Sequence, residues 1–83
     1  MNLIPEKGDK VFLKSEEELL KLSHTLMWYM TGPNTIQIAK EYGNKIVICT
    51  GTETKYNYFF TQEGPTFHFS MIDIKRTVNE INT

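Results

Sequence analysis

The chain reads as a mainly β (α+β) domain: a small five-stranded barrel with one helix inserted between strands 1 and 2 and a short helix at the C-terminus. Three observations predict it. Short β-branched and aromatic runs recur between Gly, Pro and Asn turns, at the roughly eight- to twelve-residue spacing of small all-β folds. One longer segment, Glu16 to Met30, has helical spacing instead. Five Phe, four Tyr and one Trp supply core material without disulfides, since each such ring removes about 150–250 Å² from water. At 83 residues the chain is a single domain, 1–83.

The elements follow in order. Gly8-Asp9 opens Lys10-Val11-Phe12-Leu13-Lys14, whose alternation around Val11 and Leu13 predicts a strand. Ser15 with Glu18 three residues on forms a capping box, and Glu16, Glu17 and Glu18 suit the positive end of a helix dipole. That helix runs to about Met30, where Thr31-Gly32-Pro33-Asn34 ends it. Thr35–Lys40 alternates around Ile36 and Ile38 and reads as the second strand. After a turn at Tyr42-Gly43-Asn44, Lys45–Thr50 reads as a buried central strand, and Gly51 to Thr54 as the next turn. Lys55–Thr61 is strongly β-prone, with Tyr56, Tyr58 and Phe60 on one face. Glu63-Gly64-Pro65 turns into Thr66–Ser70, which places Phe67 and Phe69 together. The tail Met71–Asn82 has helical spacing at Met71, Ile74, Val78 and Ile81, with Ser70 as N-cap and Asp73 at the third helical position. A short extended stretch at Met71–Ile74 competes with that reading.

Four short motifs carry a resemblance. Gly8-Asp9-Lys10-Val11 followed by Leu13-Lys14-Ser15 resembles the opening of the small SH3-like barrel proteins of bacteria and phages. Gly43-x-Lys45-Ile46-Val47-Ile48 resembles their second motif, and Tyr56–Phe60 their third. Phe67-x-Phe69-Ser70-Met71-Ile72 resembles their closing strand. The resemblance spans residues 8–74 and implies an SH3-like barrel. It implies no activity, because such barrels serve many roles. The chain departs from the pattern in having Phe67 and Phe69 where these proteins often carry Trp, in the regular helix at 16–30 and in the helical tail.

Composition excludes several classes. Residues 1–41 carry five Lys against six acids, and residues 42–83 four basic residues against four acids, so there is no basic stripe of the kind nucleic-acid binders show. The lone Cys49 forms no internal disulfide, and the N-terminus lacks a signal-peptide pattern, so the expected compartment is the cytoplasm, a host's if the chain is phage-encoded. No apolar run approaches the length of a membrane span. Two isolated His and one Cys have no metal-ligand spacing, no glycine loop suits a phosphate, and no cofactor is implied. Cys49 lies within an apolar strand, where an inert thiol is the common state, so no nucleophile is assigned and the chain reads as a non-enzyme.

The candidate binding residues are Trp28, His24, Lys21, Phe59 and His68. On a wheel of 100° per residue, Leu19, Leu20, Leu22, Leu26, Met27, Tyr29 and Met30 cover one half of the helix. Trp28 falls in the middle of the other half, in line with His24 and Lys21. A Trp there marks a partner or self-association surface; the competing reading is that the last turn rotates and Trp28 caps the core. Tyr56, Tyr58, Phe60, Phe67 and Phe69 read as core, with a base-stacking platform as the sharper alternative. Asn57, Phe59 and His68 then lie on the other face, Phe59 packing under Leu3-Ile4 or the C-terminal helix. The expected function is non-enzymatic binding of another protein or of a second copy, as in a phage accessory protein that inhibits a host or defence factor. The alternative is a small-molecule or nucleotide-binding barrel acting as a homo-oligomer. RNA or single-stranded DNA binding stands third because the charge is balanced.

Overall fold

The computed structural model of the chain describes residues 4–25 and 35–81. Its elements are β1 (Lys10–Phe12), α1 (Glu16–Thr25), α2 (Thr35–Tyr42), β2 (Ile46–Glu53), β3 (Tyr58–Thr61), β4 (Thr66–His68), a 3-10 turn (Phe69–Met71) and α3 (Ile74–Ile81). The four strands form one antiparallel sheet in the order β1-β2-β3-β4. The fold is therefore a small α+β domain on an open sheet, where a closed five-stranded barrel was expected.

The missing strand is the expected Thr35–Lys40, which lies within the helix α2. Period-two alternation would bury Ile36 beside Ile38, yet Ile36 is 68% exposed. Ile38, Ala39 and Tyr42, one helical turn apart, face the core instead. Two helices, rather than one, thus separate β1 from β2. The first begins as its sequence dictates: the Glu18 N–H donates to Ser15 Oγ at 3.2 Å, and Ser15 Oγ–H reaches Glu18 Oε1 at 3.4 Å.

The second long strand continues through the expected turn at Gly51–Thr54. β2 pairs with β1 through Ile46, Val47 and Ile48, then with β3 from Cys49 to Glu53. The register shifts between Cys49 and Gly51, so Thr50 is an extra residue and the strand bends as it changes partner. Gly51 marks this bulge, and the turn follows at residues 54–57, where Asn57 adopts φ 60°. After β4 the chain makes its 3-10 turn, and Ile72 bridges back to Leu13. Lys14 N–H donates to Met71 O at 2.9 Å, Asp73 N–H to Phe12 O at 2.8 Å, and Phe12 N–H to Thr77 Oγ1 at 3.0 Å. The outer edge of β1 is therefore covered. Asp73, not Ser70, caps α3: its Oδ1 accepts the Arg76 N–H at 3.2 Å.

Val11, Leu13, Leu19, Ile38, Ala39, Val47, Cys49, Phe59, Phe67, Met71 and Ile72 make one buried cluster. It lies between the inner face of the sheet and α1 and α2. Gly43 lets α2 end directly against the start of α1: a Cβ there would stand 2.6 Å from Glu16 N and 2.7 Å from Ala39 O.

Candidate functional site

β3 alternates cleanly, and its phase is the reverse of the expected one. Phe59 and Thr61 point inward, at 0% and 7% exposure. Phe59 packs on Phe67 and Phe69, with ring centroids 6.0 and 6.4 Å away; Leu3, one of its expected covers, lies outside the described residues. Phe67 holds its expected place in the core, with Tyr42 edge-on at 6.1 Å. Phe69 leaves the strand and contributes from the 3-10 turn. Phe59 is thus a core residue and no free binding residue.

The outer face carries Tyr58 and Phe60, and Tyr56 extends the row from the turn. Tyr56 stacks parallel to Tyr58 (6.2 Å, 8°), and Phe60 meets Tyr58 edge-on at 5.3 Å. Tyr56 is 57% exposed and Phe60 44%, so these rings form a ladder on the surface, not the core. Lys55 Nζ lies 5.4 Å from the Tyr56 ring centroid. Across the sheet, Glu53 and His68 stand opposite Tyr58, and Gly51 and Thr66 opposite Phe60. Gly51 has no side chain to cover the Phe60 ring; even an added Cβ would only touch its edge, at 3.7 Å.

At the end of the ladder lies a pocket of about 340 Å³ lined by Ile4, Thr54, Asn57, His68, Phe69, Ser70 and Ile74. The 3-10 turn builds one wall. His68 Nδ1 accepts the Ser70 N–H at 3.1 Å and lies 2.8 Å from Ser70 Oγ. Phe69 N–H donates to Asn57 O at 2.8 Å, tying this wall to the β2–β3 turn. Burial holds the His68 imidazole below its ordinary pKa, so the ring is neutral at pH 7. With Nδ1 accepting, the proton of the neutral ring sits on Nε2.

The surface centred on Trp28 falls within residues 26–34, outside the described residues. Its companions Lys21 and His24 are exposed on α1, beside Glu17 and Glu18, as the helical wheel requires. Of the four candidates among the described residues, Lys21, His24, Phe59 and His68, only His68 lines the pocket. No motif marks Thr54, Asn57 or Ser70 as pocket residues; the three ladder rings, read as core with a stacking platform as the alternative, lie on the surface because a one-residue shift of phase moves all three.

Cys49 is buried, and its thiol donates to Gly51 O at 3.4 Å. Burial pushes its pKa up, which disfavours the nucleophilic thiolate. Among the described residues, no group of three or more His, Cys, Asp or Glu is placed to hold a metal ion. No described helix is long and apolar enough to cross a membrane. No protein-family model, curated protein or solved structure matches the chain.

Proposed function

We propose that the chain is a non-enzymatic binding protein whose contact surface is the outer ladder of Tyr56, Tyr58 and Phe60. One observation carries the reading: three rings in mutual contact, one pair stacked and one edge-on, line the outer side of the sheet and its turn, two of them 57% and 44% exposed, while the core is built from other aromatics. Aromatic side chains, Tyr among them, are enriched at protein interfaces, where they bring large rigid area at low entropic cost. The charges nearby favour a protein over a nucleic acid. Glu53 stands opposite Tyr58, and the Glu63 carboxylate accepts the Ile48 N–H at 3.1 Å, so two carboxylates flank the ladder's strands. With a net charge of −1 for the whole chain, phosphates gain little here.

After β4 the chain makes a 3-10 turn and returns to β1 through the Leu13–Ile72 bridge, the path expected of a closing strand. Small size and an exposed aromatic face fit an accessory protein that acts by covering a surface of another protein, such as a phage inhibitor of a host or defence factor. The test pairs Tyr56→Ser with Phe60→Ser and compares this variant with the wild type, first for far-UV circular dichroism and mass in solution, then for proteins co-purified from the source cell. A bound protein, or a second copy, lost at least about tenfold by the folded variant supports the ladder; hot-spot aromatics typically carry that much. Association that survives the double substitution overturns it and returns the contact to the Trp28 face.

A further inference from the structure

We propose that the pocket between the β2–β3 turn, the 3-10 turn and the start of α3 binds a small uncharged planar heterocycle of nucleobase size. Its volume of about 340 Å³ is at the lower end for ligand sites and suits one ring or a fused pair. Its lining mixes three apolar side chains, Ile4, Phe69 and Ile74, with four polar ones, Thr54, Asn57, His68 and Ser70. That is the usual composition of a small-ligand site: apolar walls and a few groups that fix orientation. Asn57 brings both a donor and an acceptor in one amide, the pairing that matches the edge of a nitrogen heterocycle.

Charge narrows the class further. Among the described residues the lining contains no Lys, Arg, Asp or Glu. A phosphate, carboxylate or ammonium group entering here would lose water without gaining an opposite charge. His68 adds none, being neutral at pH 7. A free base or a similar amide-bearing ring is therefore preferred over its nucleotide. Two walls are already fixed by the bonds from Phe69 to Asn57 and from Ser70 to His68, so little ordering accompanies binding. Ile4 and Ile74 are 51% and 38% exposed, and an occupant would cover part of that surface.

The experiment is amide NMR of ¹⁵N-labelled protein titrated with uracil, nicotinamide and uridine monophosphate. The expected result is saturable shifts at Thr54, Asn57, Phe69 and Ser70 with at least one neutral ring, at a Kd of about 1 mM or tighter for so few atoms. Uridine monophosphate should bind at least about tenfold more weakly than uracil. Ile74→Trp, which fills the pocket from the exposed start of α3, should abolish the shifts; Thr54→Trp serves if that variant does not fold. The Tyr56→Ser and Phe60→Ser variant should keep them, which separates this site from the ladder. No saturable shift with either neutral ring at about 10 mM, tighter binding of the nucleotide, or shifts that survive a pocket-filling variant would each overturn the proposal.

Discussion

Phe59 and Phe60 carry the same ring on consecutive residues, and the strand puts them on opposite sides of the sheet. Phe59 is fully buried, so about 200 Å² of ring surface leaves water on folding, worth about 5 kcal/mol as an upper bound. Phe59→Ala should accordingly cost about 3–5 kcal/mol, the range for core Phe truncations. Phe60 keeps 44% of its surface in water, which halves the transfer contribution and leaves little cavity behind. Phe60→Ala should cost about 1–2 kcal/mol. A domain of this size holds only about 5–8 kcal/mol in total, so Phe59→Leu should be measured alongside as a milder step. The assay is urea unfolding followed by far-UV circular dichroism. The two Ala variants should differ by at least about 1 kcal/mol, or roughly 4–8 °C in melting temperature. Equal losses, or a larger loss at Phe60, would refute the assignment of faces and with it the surface ladder.

Three further outcomes follow from the same packing. Gly43→Ala inserts a Cβ 2.6–2.8 Å from backbone atoms of Glu16 and Ala39, so α1 and α2 must separate; a loss of about 1–3 kcal/mol in urea unfolding is expected, and a neutral substitution would contradict this close approach. Thr77→Val keeps the shape of a 1%-exposed residue but removes the oxygen that accepts the Phe12 N–H; about 1–3 kcal/mol should be lost, with faster amide exchange at Phe12. Because burial lowers the pKa of His68 in the folded state, the unfolded chain binds its proton first as pH falls. Stability from this group is full above its ordinary value near 6.5 and is lost as pH falls through the folded pKa. The melting temperature should therefore drop further between pH 7 and pH 5 in the wild type than in His68→Gln, and parallel profiles would count against it.

Local rules were legible wherever one short signal acted alone. The Ser15–Glu18 cap, the first strand around Val11, the central strand around Val47 and the turn before Lys45 all appear where the residues place them. The competing extended reading of 71–74 also has substance, since Ile72 bridges Leu13 before α3 begins. Errors arose where two periods fit the same residues. Ile36 and Ile38 satisfy a strand, but Ile38, Ala39 and Tyr42 satisfy a helix, and packing against α1 decides for the helix. Gly51 suggests a turn, yet a glycine inside a strand serves equally well at a bulge. The pocket was illegible because its walls come from segments up to seventy residues apart, Ile4 and Ile74 among them.

The phase of β3 has a physical reason that the aromatic count conceals. Turning Tyr56, Tyr58 and Phe60 inward would bury two phenol hydroxyls, each requiring a partner in an otherwise apolar cluster. Turning Phe59 inward buries one ring with no polar atom, directly opposite Phe67, which is also fully buried. Desolvation thus favours the observed phase and accounts for the outward-facing tyrosines without any appeal to function. It does not account for Phe60. A threonine there would serve the strand as well and expose no ring. Phe60, 44% exposed beside a glycine that leaves its ring bare, is therefore the residue whose presence folding does not require. Within the ladder it is the sharper marker of a contact surface, and Phe60→Thr separates binding from stability better than either tyrosine can.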